Sequence, residues 1–200
     1  GIEVQDASIN LVKKINSDIL TLTTTMDGTS GTIIGFQHLM INTGTLYGKA
    51  RGTYAGLQGT DEAMSSAELS LAQLRKMIRT SVVNGANPSD LVFILPYLQL
   101  DKYKAILQGM GIMQQPTSAR AGFEGQAAFE GIPMFPDPQA DTDDIFLVDL
   151  KTTKVAMFLA PTLTEFGITG DTRKAFIKIY FQVFSTNPNH NYWASGFSTS

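Results

Sequence analysis

Near the start of the chain, apolar residues recur at spacings of three and four. They follow two polar residues, Asp6 and Ser8, either of which can cap the first turn of a helix. This pattern predicts an amphipathic helix over residues 8–21, ended by the β-branched stretch Thr21–Thr25. The apolar positions of the predicted helix are Ile9, Val12, Ile15 and Ile19.

A second helical pattern covers residues 66–83. Ser65 and Glu68 have the spacing of a capping box, in which each side chain accepts a hydrogen bond from a free backbone amide of the first turn. Asn84-Gly85 predicts a left-handed end to the helix. The predicted apolar stripe consists of Ala67, Leu71, Leu74, Ile78 and Val82.

The unbroken apolar run Leu91–Leu95, closed by Pro96, predicts a buried strand. A third helix is predicted behind it, with its end at Gly109. The apolar side of that helix carries Leu100, Tyr103, Ile106 and Leu107. Residues 32–60 are rich in glycine and are predicted to be irregular, with a short helix or strand near 35–41.

Alternating apolar and polar positions dominate the second half of the chain. The predicted strands cover residues 127–135, 145–150, 154–160, 163–168 and 173–185. We expect hairpin turns at 151–153 and 167–171, and a loop over 111–122. Helices and strands in this order indicate an α+β fold.

Composition excludes several classes of protein. The 200 residues suffice for one or two domains, and 43% of them are apolar. There is no cysteine, so a disulfide framework, a thiol nucleophile and a Cys-ligated zinc site are excluded. The net charge of −3 argues against a dedicated nucleic-acid-binding domain, and no apolar run is long enough to cross a membrane. Only 16% of residues are charged, which favours self-association.

No motif for catalysis emerges. The segment Gly28–Gly35 lacks the lysine of a phosphate-binding loop and the spacing of a dinucleotide fingerprint. The only histidines, His38 and His190, have no metal-ligand spacing, and we interpret both as structural or surface residues. We therefore predict no enzyme and no catalytic, cofactor-binding or metal-binding residues. Carboxylates that pair only in space are not excluded by the sequence.

Two charged clusters are candidate binding sites. The acidic cluster lacks the glycine and the glutamate that an EF-hand needs, so we predict a solvated hairpin tip. The basic residues Arg75, Lys76 and Arg79 are predicted to form a solvent-exposed helix face. The acidic cluster comprises Asp137, Asp141, Asp143, Asp144 and Asp149.

The order of elements resembles that of the tailed-bacteriophage major capsid proteins, which share the fold named after phage Hong Kong 97. The central block runs from helix 66–83 through the Asn84–Asp90 turn and the strand at 91–95 to the helix that ends in Ile106–Gly111. Further similar segments follow in family order: Phe129–Met134, the strand Asp144–Asp149 with a hairpin mate at Lys154–Leu159, and the late strand Arg173–Ile179. Upstream, Gly35–Leu39 and Tyr47–Arg51 resemble the entry to the axial domain.

The resemblance implies a domain organisation. Residues 1–30 would hold the spine helix and the start of the peripheral domain. Residues 31–125 would form mainly the axial domain, and residues 126–200 would be mixed strands that return to the peripheral domain. Members of the family carry an N-terminal arm and an extended E-loop before the spine helix. We expect this chain to be a C-terminal portion without them.

The resemblance also implies a function. The chain would be a bacteriophage or prophage major capsid subunit that self-assembles, through pentamers and hexamers, into an icosahedral shell around double-stranded DNA without sequence-specific contact. It would be made in the host cytoplasm and reside in the virion, with portal, scaffold or decoration proteins as further partners and no membrane contact. Two alternatives stay open. One is an encapsulin-type compartment, and the other is a small α+β hydrolase or ligand-binding domain, which a deep pocket with convergent polar groups would favour.

Overall fold

The computed structural model describes residues 2–21, 34–110, 127–165 and 175–200. The α-helices are α1 (Ile2–Thr21), α2 (Phe36–Met40), α3 (Leu71–Val83) and α4 (Tyr97–Gly109). The strands are β1 (Thr45–Leu46), β2 (Lys49–Ala50), β3 (Thr60–Ala67), β4 (Leu91–Leu95), β5 (Ala128–Phe129), β6 (Ile132–Pro136), β7 (Ile145–Asp149), β8 (Thr153–Glu165), β9 (Ala175–Ser185) and β10 (Tyr192–Phe197). Four short 3-10 helices lie at Arg51–Thr53, Ala55–Leu57, Pro88–Asp90 and Pro188–His190.

A six-stranded mixed sheet forms the centre of the molecule, in the order β3-β10-β7-β4-β6-β5. The pairs β3–β10 and β4–β6 are parallel, and the other three pairs are antiparallel. The sheet takes strands from both of the segments predicted as separate domains, 31–125 and 126–200. It is therefore built by pairings between residues that lie far apart in the sequence.

Side-chain alternation along β4 separates two cores, one on each face of the sheet. Leu91 and Phe93 belong to the cluster formed with α3 and α4, whereas Val92 packs with the end of α1 and with α2. Successive strand residues point to opposite faces, so a strand covered on both sides has an unbroken apolar sequence. This explains why the run 91–95 was recognisable as a strand.

Helix α3 begins later than predicted. Its N-cap is Ser70, whose Oγ accepts a hydrogen bond from the Gln73 backbone N–H at 3.3 Å, while Gln73 Oε1 accepts from the Ser70 N–H at 2.9 Å. The predicted capping box of Ser65 and Glu68 is wrong because residues 60–67 pair with β10 as a strand. Ser65 has a φ of 51°, in the left-handed region, at an irregularity in that pairing.

The apolar stripe of α3 also differs from the prediction. Leu74, Met77 and Ser81 are buried, whereas Val82 is 38% exposed and Ala67 lies in β3. The predicted end of the helix is confirmed, since Gly85 follows it with a φ of 106°.

Helices α1 and α4, the short helix α2 and strand β4 confirm their predictions, although α1 already begins at Ile2. The predicted strand 154–160 and the described part of the predicted strand 163–168 are one strand, β8, and residues 166–168 lie outside the described residues. The predicted hairpin between Asp144–Asp149 and Lys154–Leu159 is wrong, because β7 pairs with β4 and β10 while β8 pairs with β9. Residues 111–122 and 167–171 lie outside the described residues. Among the described helices, none combines the length and apolarity needed to span a bilayer.

Candidate interaction surface

Strands β8 and β9 form a two-stranded antiparallel ribbon separate from the central sheet. Residues that lie opposite each other in such a ribbon share a face. Alternation along β9 and its register with β8 therefore define two faces. The inner face carries Val155, Met157, Leu163, Ile177, Ile179, Phe181 and Val183. The outer face carries Lys154, Ala156, Leu159, Thr162, Thr164, Phe176, Lys178, Tyr180, Gln182 and Phe184.

The inner face continues the hydrophobic core at only one end. Val183 is buried with Leu39 and Leu46, and Phe181 packs against that cluster. On the facing strand, Val155 lies opposite Val183 and Met157 lies opposite Phe181, and both are more than half exposed. Near the root, the inner face is thus covered on its β9 side and exposed on its β8 side.

The outer face combines aromatic and cationic side chains. Tyr180 is 48% exposed, and Lys178 Nζ lies 5.0 Å from the centre of its ring. Lys154, at the root, is also exposed. In the part of the chain that the structure describes, neither lysine forms an ion pair. The outer face therefore presents aromatic surface with positive charge.

A bulge in β8 exposes one further aromatic side chain, that of Phe158. The register shifts between Met157 and Leu159, so Phe158 is an extra residue with no partner position on β9. Its side chain is 91% exposed. Bulges re-aim side chains, and an isolated two-stranded ribbon is only marginally stable in water. A ribbon with this much exposed apolar surface is suited to being covered by another molecule.

A polar cluster fixes the root of the ribbon to the sheet. Asp149 Oδ2 lies 2.8 Å from His190 Nδ1, and Asp149 Oδ1 accepts a hydrogen bond from the Lys151 backbone N–H at 2.8 Å. Asn191 Oδ1 accepts from the Asp149 N–H at 2.8 Å and from Thr153 Oγ1 at 3.3 Å. These bonds join β7, β8 and β10 where the ribbon departs.

A second clamp comes from the β1–β2 turn. Tyr47 donates its hydroxyl to the Ser185 carbonyl at 3.2 Å and accepts from the Ser185 N–H at 2.9 Å. The fully buried Arg51 fixes the β1–β2 turn in place. Its guanidinium donates hydrogen bonds to the backbone carbonyls of Leu39, Ile41 and Leu57 at 2.6–3.1 Å, and to that of His38.

Helix α1 exposes apolar residues at the end away from the core. Ile9 is 50% exposed and Val12 is 65% exposed, whereas Ile19 packs against the cluster at the ribbon root. The spacing of Ile9, Val12 and Asn16 places these three on one side of the helix. The predicted amphipathic stripe is therefore buried at only one end.

The predicted acidic cluster is not one solvated tip. Asp144 and Asp149 are buried, and only Asp141 of the five is fully in the exposed class. Asp144 accepts a hydrogen bond from Gln37 Nε2 at 2.8 Å. Burial raises the pKa of Asp144 to about 6; the Gln37 hydrogen bond opposes this shift, and the charges of Asp143 and Asp141 reinforce it.

Asp137 connects the same turn to α1. Asn16 Nδ2 lies 2.9 Å from both carboxylate oxygens of Asp137. We call residues 137–144 the acidic turn. Its carboxylates accept hydrogen bonds from neutral amides, and among the described residues no cation pairs with any of them. The negative charge of the turn is therefore not compensated within the described structure.

The basic residues of α3 lie on an exposed face, as predicted. Arg75 Nε lies 2.7 Å from Glu130 Oε1, and its guanidinium lies 5.7 Å from the centre of the Phe129 ring. Lys76 pairs with Glu62. This face is thus already engaged in contacts within the chain.

The two histidines lie on different elements, the helix α2 and the 3-10 helix Pro188–His190. His38 is buried on α2, and His190 is at the ribbon root. Within the described ranges, no three histidine or acidic side chains are grouped as they would be around a metal ion. Most of the segment Gly28–Gly35 lies outside these ranges.

The ribbon was not predicted to be an interaction surface. One signal was available: the run 155–164 contains no charged residue, and Lys154 and Glu165 flank it. Uncharged apolar strands flanked by charges are typical of segments that must be covered or kept from aggregating. The roles of Tyr47 and Arg51 had no such signal, because both depend on contacts across the fold.

The sequence matches no protein-family model, and no curated protein is significantly similar to it. Solved structures are similar in fold. The chain aligns over 99% of its length, and 69% of the other chain, with a subunit of the cyanophage A-1(L) capsid asymmetric unit, at a TM-score of 0.77 and 18% identity.

Two further structures extend the similarity. The holo-SrpI encapsulin complex from Synechococcus elongatus PCC 7942 aligns with 98% of this chain and 65% of its own, at a TM-score of 0.69 and 8% identity. The capsid of an empty GTA particle aligns with 96% of this chain and 64% of its own, at a TM-score of 0.60 and 10% identity. The chain thus spans about two thirds of the length of these subunits. It has an α+β fold of the Hong Kong 97 capsid type, as the order of elements predicted.

Proposed function

We propose that this chain is a structural subunit of a bacteriophage-type capsid, which self-assembles into a closed icosahedral shell around double-stranded DNA. The observation that carries the proposal is the similarity of nearly the whole chain to a cyanophage capsid subunit. Fold alone does not set function. The proposal therefore also needs surfaces suited to assembly.

The ribbon and α1 supply such surfaces. More than half of the side-chain surface is exposed in Phe158, Met157 and Val12. Removing these apolar side chains from water would lower the free energy. Repetition around a closed shell multiplies modest contacts of this kind, so that no single interface must be strong.

The enclosed DNA would be held without sequence-specific contact. The net charge of −3 and the engagement of Arg75 and Lys76 in contacts within the chain both disfavour a dedicated phosphate-binding face. As a capsid subunit, the chain would be made in the host cytoplasm, reside in the virion, and meet portal, scaffold or decoration proteins there. We assign it no catalytic role.

The division into domains is part of this proposal. Residues 1–30 would hold the spine helix, 31–125 mainly the axial domain, and 126–200 strands that return to the peripheral domain. The central sheet joins strands from the last two segments. The chain would therefore pass between the two domains more than once.

An encapsulin-type compartment is the second candidate, supported by the similarity to the SrpI encapsulin. A hydrolase or ligand-binding domain has less support: the buried Asp149–His190 pair has the geometry of an oriented imidazole, but its bonds serve the ribbon root.

The test is negative-stain electron microscopy of the purified gene product that carries this sequence, followed by nucleic-acid analysis of any particles. A capsid predicts uniform closed particles that contain double-stranded DNA when they are isolated from the virus-producing host. Uniform particles filled with protein would indicate an encapsulin, and a folded protein that never forms particles would contradict both shell functions.

A further inference from the structure

We propose that two copies of this chain meet head to tail, with the turn after β7 of one copy docked on the surface before β7 of the next. The inference rests on the proposed shell function and names a contact that serves it. Both surfaces lie within continuous described ranges, 34–110 and 127–165. The docking residues are Leu150, Lys151 and Lys49 on the first surface, and Tyr97, Asp141 and Asp143 on the second.

The first surface contains an exposed leucine next to a lysine. Leu150 is 56% exposed in the turn that joins β7 to β8, and the exposed Lys151 follows it. Two hydrogen bonds fix this turn: the Leu150 N–H donates to the Asp90 carbonyl at 3.0 Å, and the Lys151 N–H donates to Asp149 Oδ1 at 2.8 Å. The leucine is therefore held in water by a fixed backbone, and its burial against a partner would lower the free energy.

A second lysine, Lys49, adjoins this turn. Tyr47, two residues before Lys49, is hydrogen-bonded to the backbone of Ser185. The next residue, Thr186, donates its N–H to the Thr152 carbonyl at 3.0 Å. The β1–β2 turn and the β7–β8 turn are thus bonded to consecutive residues of the chain, which brings the two turns together.

The first surface carries a net positive charge. Lys49 and Lys151 are both exposed, and within the ranges that the structure describes neither forms an ion pair. Asp90 contributes one negative charge, whereas Asp149 is buried in its pair with His190. Charges around an apolar contact set its orientation and its association rate. This surface therefore suits a partner that offers carboxylates beside an apolar residue.

The second surface contains an exposed tyrosine beside the acidic turn. Tyr97 is 55% exposed at the start of α4. The Leu95 carbonyl, two residues before it, accepts a hydrogen bond from the Asp137 N–H at 2.9 Å. Gln99 Nε2, two residues after it, donates to the Thr142 carbonyl at 3.0 Å. The acidic turn therefore lies against the first turn of α4, next to Tyr97.

The carboxylates of Asp141 and Asp143 complete the second surface. Asp141 is exposed and Asp143 is partly exposed, and in the described part of the chain no cation pairs with either. The Asp143 carbonyl accepts a hydrogen bond from the Phe197 N–H at 3.0 Å, which fixes the backbone here as well. A tyrosine beside unpaired carboxylates is the chemical complement of a leucine beside unpaired lysines.

The two surfaces lie at opposite ends of β7. Asp143 lies two residues before Ile145, where the strand begins, and Leu150 directly follows Asp149, where it ends. A strand of five residues is about 17 Å long, so the two surfaces of one chain do not meet each other. Contact between different surfaces of successive copies generates a ring when the rotation between copies closes.

Cross-linking tests the contact directly, because the chain has no cysteine. A chain that carries both Leu150→Cys and Tyr97→Cys is treated with a bismaleimide too short to join the two ends of β7. A chain with one thiol forms at most a covalent dimer, whereas head-to-tail contact of the double variant gives trimers and longer ladders. The matched control replaces Leu150→Cys by Met157→Cys, since both residues are 56% exposed.

We expect trimers and longer ladders from the chain with Leu150→Cys and Tyr97→Cys. They should form about tenfold faster than from the chain with Met157→Cys and Tyr97→Cys, since steered association changes rates by at least that factor. Products no longer than dimers, or equal ladders from the two variants, would overturn the inference.

Charge exchange provides a second test. In the cross-linkable chain, K49E/K151E and D141K/D143K should each lose the ladder. The chain with all four reversals should recover it, because each surface then carries the charge that the other has lost. Failure to recover in folded protein would also overturn the inference.

Two further outcomes separate this contact from other functions. If K49E/K151E keeps the ladder and loses binding to double-stranded DNA, the lysines serve nucleic acid and the inference is wrong. Particle imaging of the unmodified gene product tests the shell function separately, so particles without the ladder would refute only this contact.

Discussion

His190 and Asp149 form a close pair at the root of the ribbon, with Nδ1 and Oδ2 2.8 Å apart. Asp149 is buried and also accepts hydrogen bonds from two backbone N–H groups, those of Lys151 and Thr152. The carboxylate, not the imidazole, is therefore the centre of the cluster.

This asymmetry predicts unequal effects of substitution. Asp149→Ala should lower the free energy of unfolding by about 3 kcal/mol, because buried donors lose their acceptor. His190→Gln should cost about 1 kcal/mol or less, because the carboxylate keeps its backbone donors. Urea unfolding of both variants measures the difference, and equal losses would show that the imidazole is the essential member.

The buried carboxyl of Asp144 predicts a dependence of stability on pH. Its pKa is about 6 in the folded chain against an ordinary 3.8, so the folded state holds a proton that the unfolded state releases between these values. The free energy of unfolding should therefore fall as the pH rises from about 4 to about 6, by roughly 2–3 kcal/mol from this group.

Asp144→Asn should remove that part of the pH dependence and raise the stability at pH 8. Asp101→Asn, which replaces an exposed carboxylate on α4 that does not contribute to the shift of Asp144, is the matched control and should keep the slope. Denaturation at pH 5 and pH 8 provides the comparison. A lower stability of Asp144→Asn at pH 8 would mean that the ionised carboxylate is needed.

Arg51 is predicted to be essential for the loop region from 38 to 59. Arg51→Met should cost about 3–5 kcal/mol, since it leaves buried carbonyls without a donor. Arg79→Met changes an exposed arginine and should stay within about 0.5 kcal/mol of the unmodified chain. Thermal melts of the two variants distinguish them, and similar melting temperatures would contradict the buried role.

The N-terminus of α3 offers a matched pair of serines. Ser70→Ala should cost about 1 kcal/mol, because it removes the N-cap, whereas Ser65→Ala removes no cap. Chemical denaturation compares them directly. A larger loss of stability in Ser65→Ala than in Ser70→Ala would show that the helix begins at the earlier position that the sequence predicts.

The elements with strong local patterns could be predicted from the sequence, and those defined by distant partners could not. The run 91–95 was recognisable because both of its faces are buried. Strand β10 was missed because Tyr192–Phe197 alternates weakly, and its strand state depends on β3, which lies some 130 residues earlier. The same pairing explains the error at Ser65, whose local sequence favours a helix start.

The candidate surface was harder to predict than the fold. Alternation indicated strands at 154–160 and 163–168, but which residues face outward depends on the register with β9 and on the extra residue Phe158. The acidic residues could be located in the sequence, yet the burial of Asp144 depends on Gln37, far away in the chain. Local composition does not show which residues from distant parts of the sequence will be in contact.

The most direct test of the account is particle imaging of the gene product with one exposed apolar residue changed. Phe158→Asp alters the most exposed aromatic residue of the ribbon, and Val83→Asp alters a residue of similar exposure (79%) at the end of α3. If the chain builds a shell through its ribbon, the unmodified protein and Val83→Asp should form closed particles, and Phe158→Asp should form only small oligomers of folded protein. Closed particles in normal yield from Phe158→Asp, or none from the folded unmodified protein, would contradict the claim that this chain builds a shell through its ribbon.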